Sequence, residues 1–226
     1  MNINRTSLRA QVKEILLARI LNGEYKPGDR LVEMQIAQEL GTSQAPVRES
    51  LRELEALGFV ESEPYRGTRV RAPTKAELAE IYPVRAALEE VAARAAAKRL
   101  AGNVEALEAE LAGMHRAAEK GDMFEQVQHD VAFHCLIVEA SGSKVLLDVW
   151  KSLRIEARTL ISAITTDLDP YELAERHRPV LEALAAGDSE RAGAIIRQHV
   201  EFFGKLILKE EHNSHAADDA GAISHS

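Results

Sequence analysis

The sequence is poor in the features that mark secreted and membrane proteins. It has a single cysteine, Cys135, so no disulfide can form within the chain. Residues 1–7 lack the apolar core of a secretory signal, and no uncharged apolar run reaches the ~18 residues that a membrane-spanning helix needs. These absences predict a soluble protein of the reducing cytoplasm.

The sequence also lacks the excess of basic residues that is typical of DNA-binding proteins, since its formal net charge is −8. The charge is unevenly distributed. Residues 1–72 contain 11 basic and 10 acidic residues, whereas the rest of the chain contains 17 basic and 26 acidic ones. A weakly cationic region before an acidic body is expected when a DNA-binding domain is joined to a module of another kind. The 226 residues are enough for two such domains.

The N-terminal third of the chain has the pattern of a winged helix-turn-helix. A short helix is predicted over residues 34–40, and Gly41 separates it from a second helix that runs to Leu57. A hairpin follows, in which strands at 59–62 and 68–71 flank a turn. In such domains the second helix enters the major groove of duplex DNA. The alternative is an ordinary amphipathic helix after a capped turn, and the hairpin favours the DNA-binding interpretation.

The second helix and the hairpin carry side chains that suit DNA. Ser43 can cap the helix beside free backbone amides, Pro46 fits its first turn, and Arg48 lies early enough to reach a guanine edge or a phosphate. Apolar residues at three-to-four spacing form a buried stripe on the opposite face. The residues left toward solvent are Gln44, Arg48 and Arg52. The positive charges of the hairpin, which suit a phosphate backbone, are Arg66, Arg69 and Arg71.

From about residue 75 the hydrophobic periodicity is helical, and no strand-period run appears. A boundary near residues 71–74 gives two predicted domains, 1–72 and 73–211. Helices separated by short loops predict an all-α bundle. The six predicted helices are 75–100, 104–119, 122–140, 143–165, 171–186 and 188–211. Pro83 is expected to delay or kink the first of these helices, and Pro179 lies inside the fifth. The tail, residues 212–226, is small and polar and is predicted to be disordered.

Four residues of the second domain form a candidate metal-ligand set. Asp130 and His134 are four residues apart, so a helix would point both from one face. His177 and His199 lie on later helices. Three imidazoles and one carboxylate suit zinc, nickel or another first-row divalent ion. The spacing alone does not decide between a metal site and histidines that are ordinary core or surface residues.

The first 70 or so residues resemble the DNA-binding domain of the GntR family of bacterial transcription regulators. Residues 23–31 are similar to the family's segment between its first two helices, residues 43–51 to its recognition helix, and residues 58–60 with 67–70 to its wing. The resemblance implies DNA contacts from Ser43, Gln44, Pro46, Arg48, Arg66 and Gly67, to which the charge pattern adds Arg52 and Arg69. Some members carry arginine where Met34 and Gln44 stand here, so their base preference does not transfer.

Residues from about 75 to 210 resemble the helical effector domain, called FCD, of the FadR-like branch of that family. Many FCD domains hold a metal through an Asp and a His four residues apart and two later histidines. The resemblance therefore implies that Asp130, His134, His177 and His199 bind a divalent metal ion, with zinc first and nickel or manganese as alternatives. His115 and His129 do not fit the pattern.

The resemblance also implies an effector pocket. An arginine of the opening FCD helix often faces the pocket, which makes Arg85 the first candidate for contact with a small carboxylate effector. Arg154 and Arg158, one turn apart on the predicted 143–165 helix, are second candidates. For each arginine the alternative is a surface ion pair with Glu89 or Glu156.

Together these patterns predict a ligand-responsive transcription regulator, by analogy a repressor. Two chains would pair through their helical bodies and present two winged heads to a two-fold symmetric operator. Small apolar residues of the opening helix, which suit close packing within or between chains, are Ala86, Ala87, Val91, Ala92 and Ala95. One alternative is a regulator whose metal is structural or is itself the signal. A metal-dependent enzyme is a further alternative, disfavoured because no general base is convincingly placed outside the ligand set.

Overall fold

The computed structural model describes residues 8–21, 24–63, 66–71, 75–164 and 168–222. The chain divides into two compact units, Met1–Ala72 and Pro73–Ser226. Residues 72–74, at the predicted domain boundary, lie outside the described residues. In the described part of the chain, no helix combines the length and the apolar character that crossing a bilayer requires.

The first unit contains three helices and a small antiparallel sheet. Its elements are α1 Leu8–Leu21, β1 Arg30–Leu31, α2 Glu33–Glu39, α3 Gln44–Leu57, β2 Val60–Glu63 and β3 Gly67–Val70. The strand order is β1-β3-β2, and Val60 pairs with Val70 in the hairpin. This arrangement confirms the predicted winged helix-turn-helix. The strand β1 was not predicted because two residues are too short to show an alternating pattern.

The core of this unit is formed by the apolar stripe of α3 together with α1 and the hairpin. Val47 and Leu54 are fully buried, as are Leu16 of α1 and Val60 of β2. Gly58 ends α3 in the left-handed conformation, with φ of 90°, which lets the chain turn at once into the hairpin. Burial of this stripe therefore determines which face of α3 is exposed to solvent.

The second unit is entirely helical in its described residues. Its elements are α4 Lys75–Leu100, α5 Glu105–Lys120, α6 Met123–Ala140, α7 Lys144–Ser152, α8 Ile155–Ile164, α9 Pro170–Glu175, α10 Arg178–Ala185 and α11 Ser189–Ala222. The predicted all-α bundle is confirmed, but the described residues form eight helices where six were predicted. Small residues let α4 and α11 approach closely, because a Cβ on Gly204 would lie 2.8 Å from that of Tyr82.

Two predicted helices are each divided. The 143–165 segment breaks at Leu153 and Arg154, where Arg154 adopts a φ of 47°. No glycine or proline marks this break, so the periodicity gave no warning of it. The 171–186 segment breaks before Pro179, which lies in the first turn of α10, where a missing N–H costs little.

Both ends of the predicted bundle also differ from expectation. The helix α4 has the predicted bounds, residues 75–100, and continues through Pro83, so of the two effects expected from this proline the late start is wrong. Pro83 is exposed, where water can hydrate the carbonyl that loses its helical donor. At the other end, α11 extends to Ala222 where a disordered tail was predicted from residue 212. Four of its eleven residues are alanine, the residue of highest helix propensity, which favours continuation of the helix.

Candidate functional site

Three buried histidines meet inside the second unit. His134, His177 and His199 each offer a ring nitrogen, and these atoms all lie within 4.8 Å of one another. The ring centroids of His177 and His199 are 4.3 Å apart, and those of His134 and His199 are 5.2 Å apart. The structure therefore brings together the three histidines that the sequence singled out. It places His129 and His115 elsewhere, against Glu110 and Glu175 respectively.

Three separate elements deliver these side chains. Asp122 caps α6 by accepting a hydrogen bond from the backbone N–H of Glu125, and the helix then projects Asp130 and His134 one turn apart. His177 lies at the junction of α9 and α10, and His199 lies on α11. Nε2 of His177 is 2.9 Å from Oδ1 of Asp130, which joins the carboxylate to the cluster.

A buried carboxylate that the sequence did not single out as functional supports the cluster. Oε1 of Glu89 accepts hydrogen bonds from Nε of Arg85 at 2.7 Å and from Nε1 of Trp150 at 2.8 Å. Its Oε2 lies 2.5 Å from Nδ1 of His134. Burial alone would raise the pKa of Glu89, but the charges of Arg85 and His134 outweigh it and hold the pKa below its usual range. Glu89 is therefore an ionised acceptor for three N–H groups.

These contacts fix the ring nitrogens that face the cavity. Nδ1 of His134 donates to the ionised Glu89, and its buried Nε2, which faces the cavity, has no hydrogen-bond partner among the described residues. Nδ1 of His177 lies 3.1 Å from the carbonyl oxygen of Ala174, which can only accept. If a neutral His177 donates its Nδ1–H to that oxygen, the lone pair of Nε2 faces Oδ1 of Asp130, 2.9 Å away. Two acceptors this close require a cation, either a proton or a metal ion.

The protonation states also suit a metal. Burial alone would raise the pKa of Asp130, but its contact with His177 outweighs burial and holds the pKa well below its usual range. Burial, reinforced by His177 and His134, lowers the pKa of the His199 imidazole well below its ordinary value. An ionised carboxylate and a neutral imidazole are the forms that bind divalent ions.

The cluster opens into a small cavity of about 30 Å³. By the usual ~10–15 Å³ for a water, this holds about two waters, or an ion with a water. The other lining residues with polar groups are Tyr82, Arg85, Gln126 and Thr159. Nη1 of Arg85 donates to Oγ1 of Thr159 at 3.1 Å. Gln126 and Thr159 were not predicted, although Gln126 lies one helical turn before Asp130 and the four-residue spacing could have revealed it.

Of the three arginines predicted to contact effector, only Arg85 lines this cavity. Its ion pair with Glu89 is buried, so the alternative of a surface pair is wrong. Arg154 is exposed, and Arg158 donates to the backbone carbonyls of Leu153 and Arg154. The unexpected break between α7 and α8 removes the helical face that these two arginines were expected to share.

The first unit presents the predicted DNA-facing surface. Gln44, Arg48 and Arg52 are exposed on α3, opposite its buried stripe. Ser43 occupies the N-cap position but its side chain makes no capping hydrogen bond, which corrects the role expected for its hydroxyl. That hydroxyl is therefore not committed to the helix. Pro46 lies in the first turn of α3, as expected.

An ion pair between the two helices holds Arg48. Its Nε lies 3.0 Å and its Nη2 lies 2.8 Å from Oε2 of Glu33. In the wing, Arg66 pairs with Glu63 at 2.9 Å and Arg69 donates to the carbonyl oxygen of Gly28 at 2.8 Å. All three arginines are largely exposed, so each can exchange its protein partner for a phosphate or a base.

Family comparisons agree with both halves of the structure. The family described as "Bacterial regulatory proteins, gntR family" matches residues 8–70, and the FCD domain matches residues 80–202. The two matches correspond to the helix-turn-helix unit and to the helical unit that carries the histidine cluster.

Characterised relatives are transcriptional regulators. The chain is 38% identical over 198 residues to the "Probable D-xylose utilization operon transcriptional repressor" of Paenarthrobacter nicotinovorans, with 88% of each chain covered. It is 30% identical over 204 residues to the regulator LutR of Bacillus subtilis, covering 80% of this chain and 92% of that one. The structure of McbR/YncC from E. coli is similar, with a TM-score of 0.65, 27% identity and coverage of 91% and 99%.

These similarities extend over nearly the whole chain and join the same two domains in the same order. The curated relatives are named as a transcriptional repressor and a transcriptional regulator. The chain belongs to the GntR family of bacterial regulatory proteins, in the group that carries an FCD domain, and is a transcriptional regulator.

Proposed function

We propose that this regulator is a repressor whose FCD domain holds one divalent metal ion and responds to a small hydroxylated carboxylate. The observation that carries the proposal is the buried cluster itself. Asp130 and three histidines converge on one cavity, where buried atoms of Asp130, His134 and His177 lack hydrogen-bond partners within the described part of the chain. Leaving such atoms buried and unpaired costs free energy, so a ligand is expected to satisfy them.

A metal ion fits these donors. His134, His177 and His199 would bind it as neutral imidazoles, and Asp130 would bind it as a carboxylate. Glu89 and the carbonyl of Ala174 would act as outer partners that orient two of the rings. The metal would supply a positive charge at which an anionic effector can bind. Three histidines and an aspartate suit zinc, nickel or manganese, so metal identity depends on availability as well as affinity.

Arg85 is the proposed second anchor for the effector carboxylate. It lines the cavity, and its Nε and Nη1 are already bonded to Glu89 and Thr159. This leaves Nη2, for which the described residues provide no hydrogen-bond partner, to meet an anion. The name of the relative from Paenarthrobacter refers to D-xylose use, which makes a sugar acid such as D-xylonate the first compound to test. Such a molecule exceeds the cavity of about 30 Å³, so the flexible Met114 and Met123 side chains in the lining would have to yield.

Pairing of two chains is proposed through the outer face of α4. Val84 and Val91 are 47% and 57% exposed, and Ala87 and Ala95 continue the same stripe. Ala86 and Ala92 are buried inside the bundle, so only part of the small-residue set remains for a partner. A dimer would present two reading heads to a two-fold symmetric operator. Effector binding would change how the two heads are presented to the operator and hence the affinity for DNA. The coupling free energy between effector binding and DNA binding is typically about 1–3 kcal/mol.

Removing Arg48 is expected to weaken operator binding by about 1–3 kcal/mol for each half-site, because a bidentate contact to a guanine or a phosphate is lost. The Arg48→Ala variant should be compared with Arg116→Ala, an exposed arginine of α5, by fluorescence anisotropy on operator DNA at fixed salt. We expect normal binding from Arg116→Ala. Equal affinities for the two variants would contradict the assignment of α3 as the reading helix.

The effector proposal is tested on the protein–operator complex. D-xylonate, glycolate and L-lactate should release the full-length, metal-loaded protein from operator DNA. The Arg85→Met variant, which removes the guanidinium, should bind DNA but need at least about tenfold more acid for release, as expected when a charged hydrogen bond of ~1.5 kcal/mol or more is lost. If metal addition and removal control DNA binding while acids have no effect, the metal itself is the signal. If neither has an effect, the metal is structural.

A further inference from the structure

One buried amide lining the cavity has a bonded end and an unbonded end. Gln126 is 4% exposed, and its Nε2 donates to the carbonyl oxygen of Pro170 at 2.6 Å. Its Oε1 is buried and has no hydrogen-bond partner within the described part of the chain. Because a carbonyl oxygen can only accept, the amide orientation is fixed, and the unbonded atom is the acceptor.

The position of Gln126 relates this acceptor to the metal ligands. It precedes Asp130 by one helical turn on α6, and Asp130 precedes His134 by another, so the three form one stripe. All three line the same cavity, which Arg85 of α4 also lines. A ligand that pairs its carboxylate with Arg85 therefore meets an acceptor on the α6 side of the cavity.

We infer that Gln126 selects hydroxylated effectors by accepting a hydrogen bond from an effector hydroxyl. This rests on the proposed carboxylate effector and adds the group that distinguishes a hydroxy acid or sugar acid from a plain acid. A site built to bond a hydroxyl discriminates against the analogue that lacks it, because the buried acceptor is then left unpaired. The fixed amide accepts and cannot donate, so it selects a hydroxyl or amine and disfavours a keto oxygen.

The test uses acids of equal chain length with and without hydroxyl groups. D-xylonate is paired with pentanoate and glycolate with acetate, and both pairs are titrated into the full-length, metal-loaded protein by calorimetry. We expect the hydroxylated acid to bind at least about tenfold more tightly, which corresponds to ~1.4 kcal/mol. An α-hydroxyl can also bind a metal directly, so the decisive quantity is how this preference changes in Gln126 variants.

Three variants separate selection from a structural role. Gln126→Met removes the acceptor and should reduce the hydroxyl preference at least about fivefold. Gln126→Glu keeps acceptor oxygens but cannot donate to Pro170, so it should weaken both acids while retaining the preference. Gln128→Leu, an exposed glutamine on the same helix, should change nothing.

The outcomes are distinguishable. An unchanged preference in Gln126→Met, or an equal loss of preference in both Gln126 variants, would overturn the inference and leave the carboxylate effector standing. Equal binding of hydroxylated and plain acids by the natural protein would do the same. Binding of neither acid would overturn the proposed effector class and this inference with it. Should Gln126→Met fail to fold, Gln126→Leu takes its place, since leucine also removes the acceptor.

Discussion

Replacing His134 and His177 together by alanine is expected to abolish metal binding, from about one divalent ion per chain to none. Two of the four proposed ligands are lost, and the remaining pair is too few to hold an ion against water. Elemental mass spectrometry of untagged protein measures this directly. The matched control is the His115→Ala, His129→Ala double variant, whose histidines pair with Glu175 and Glu110 away from the cluster. It should keep its metal.

Bound metal is also expected to stabilise the folded natural protein. A ligand present at about a thousand times its Kd stabilises the folded state by ~4 kcal/mol. At ~2–4 °C per kcal/mol for a protein of this size, a chelator should lower the Tm of the natural protein by about 10 °C. The chelator should leave the cluster variant unchanged. Natural protein that is metal-free, folded and able to bind DNA would contradict the proposal.

Replacing Glu89 by alanine is expected to destabilise the helical unit by about 3–5 kcal/mol. Removing one partner of a buried ion pair leaves the other charge uncompensated, and here Arg85 loses its carboxylate. The N–H groups of Trp150 and His134 lose their acceptor at the same time. Thermal or urea unfolding measures the change, with a fall of about 10 °C in Tm expected.

Its neighbour Glu90 provides the control. Glu90 pairs with Arg94 and Arg197 at the surface, at 3.0 Å and 2.7 Å. Because exposed ion pairs contribute about 0–1 kcal/mol, Glu90→Ala should be nearly neutral. The Arg85→Leu, Glu89→Leu double variant should recover only part of the loss, because His134 and Trp150 remain without an acceptor. Equal effects of Glu89→Ala and Glu90→Ala would show that the buried network contributes little.

The DNA-binding half could be read well from the sequence because its signals are local. Helical periodicity identified the buried face of α3, and Gly58 marked its end. Turn residues marked the hairpin. What periodicity could not show was the pairing of Arg48 with Glu33, since these residues are brought together only when α2 packs on α3. The capping role of Ser43 was wrong for a related reason, because the N-cap position does not dictate where the hydroxyl points.

In the helical unit, the sequence predicted the candidate metal ligands but not the buried residues that contact them. The four residues Asp130, His134, His177 and His199 carry chemistry that can be recognised one residue at a time, and the structure gathers them. Glu89 and Gln126 acquire importance only through burial, which one helix alone does not determine. Because Glu89 lies one helical turn after Arg85, the sequence suggested an exposed ion pair between them as the alternative role of Arg85. The break at Arg154 was missed because no special residue marks it, and neither Arg154 nor Arg158 lines the cavity as expected.

Trp150 is the only tryptophan in the chain, and its indole N–H donates to the carboxylate that orients His134. Selectively excited indole emission from this protein therefore comes from one side chain, which is 2% exposed. Its wavelength and quantum yield depend on the local field and on quenching groups, both of which an ion beside His134 would alter. The chain thus carries a built-in optical reporter next to its proposed metal centre, and occupancy can be followed in unlabelled protein.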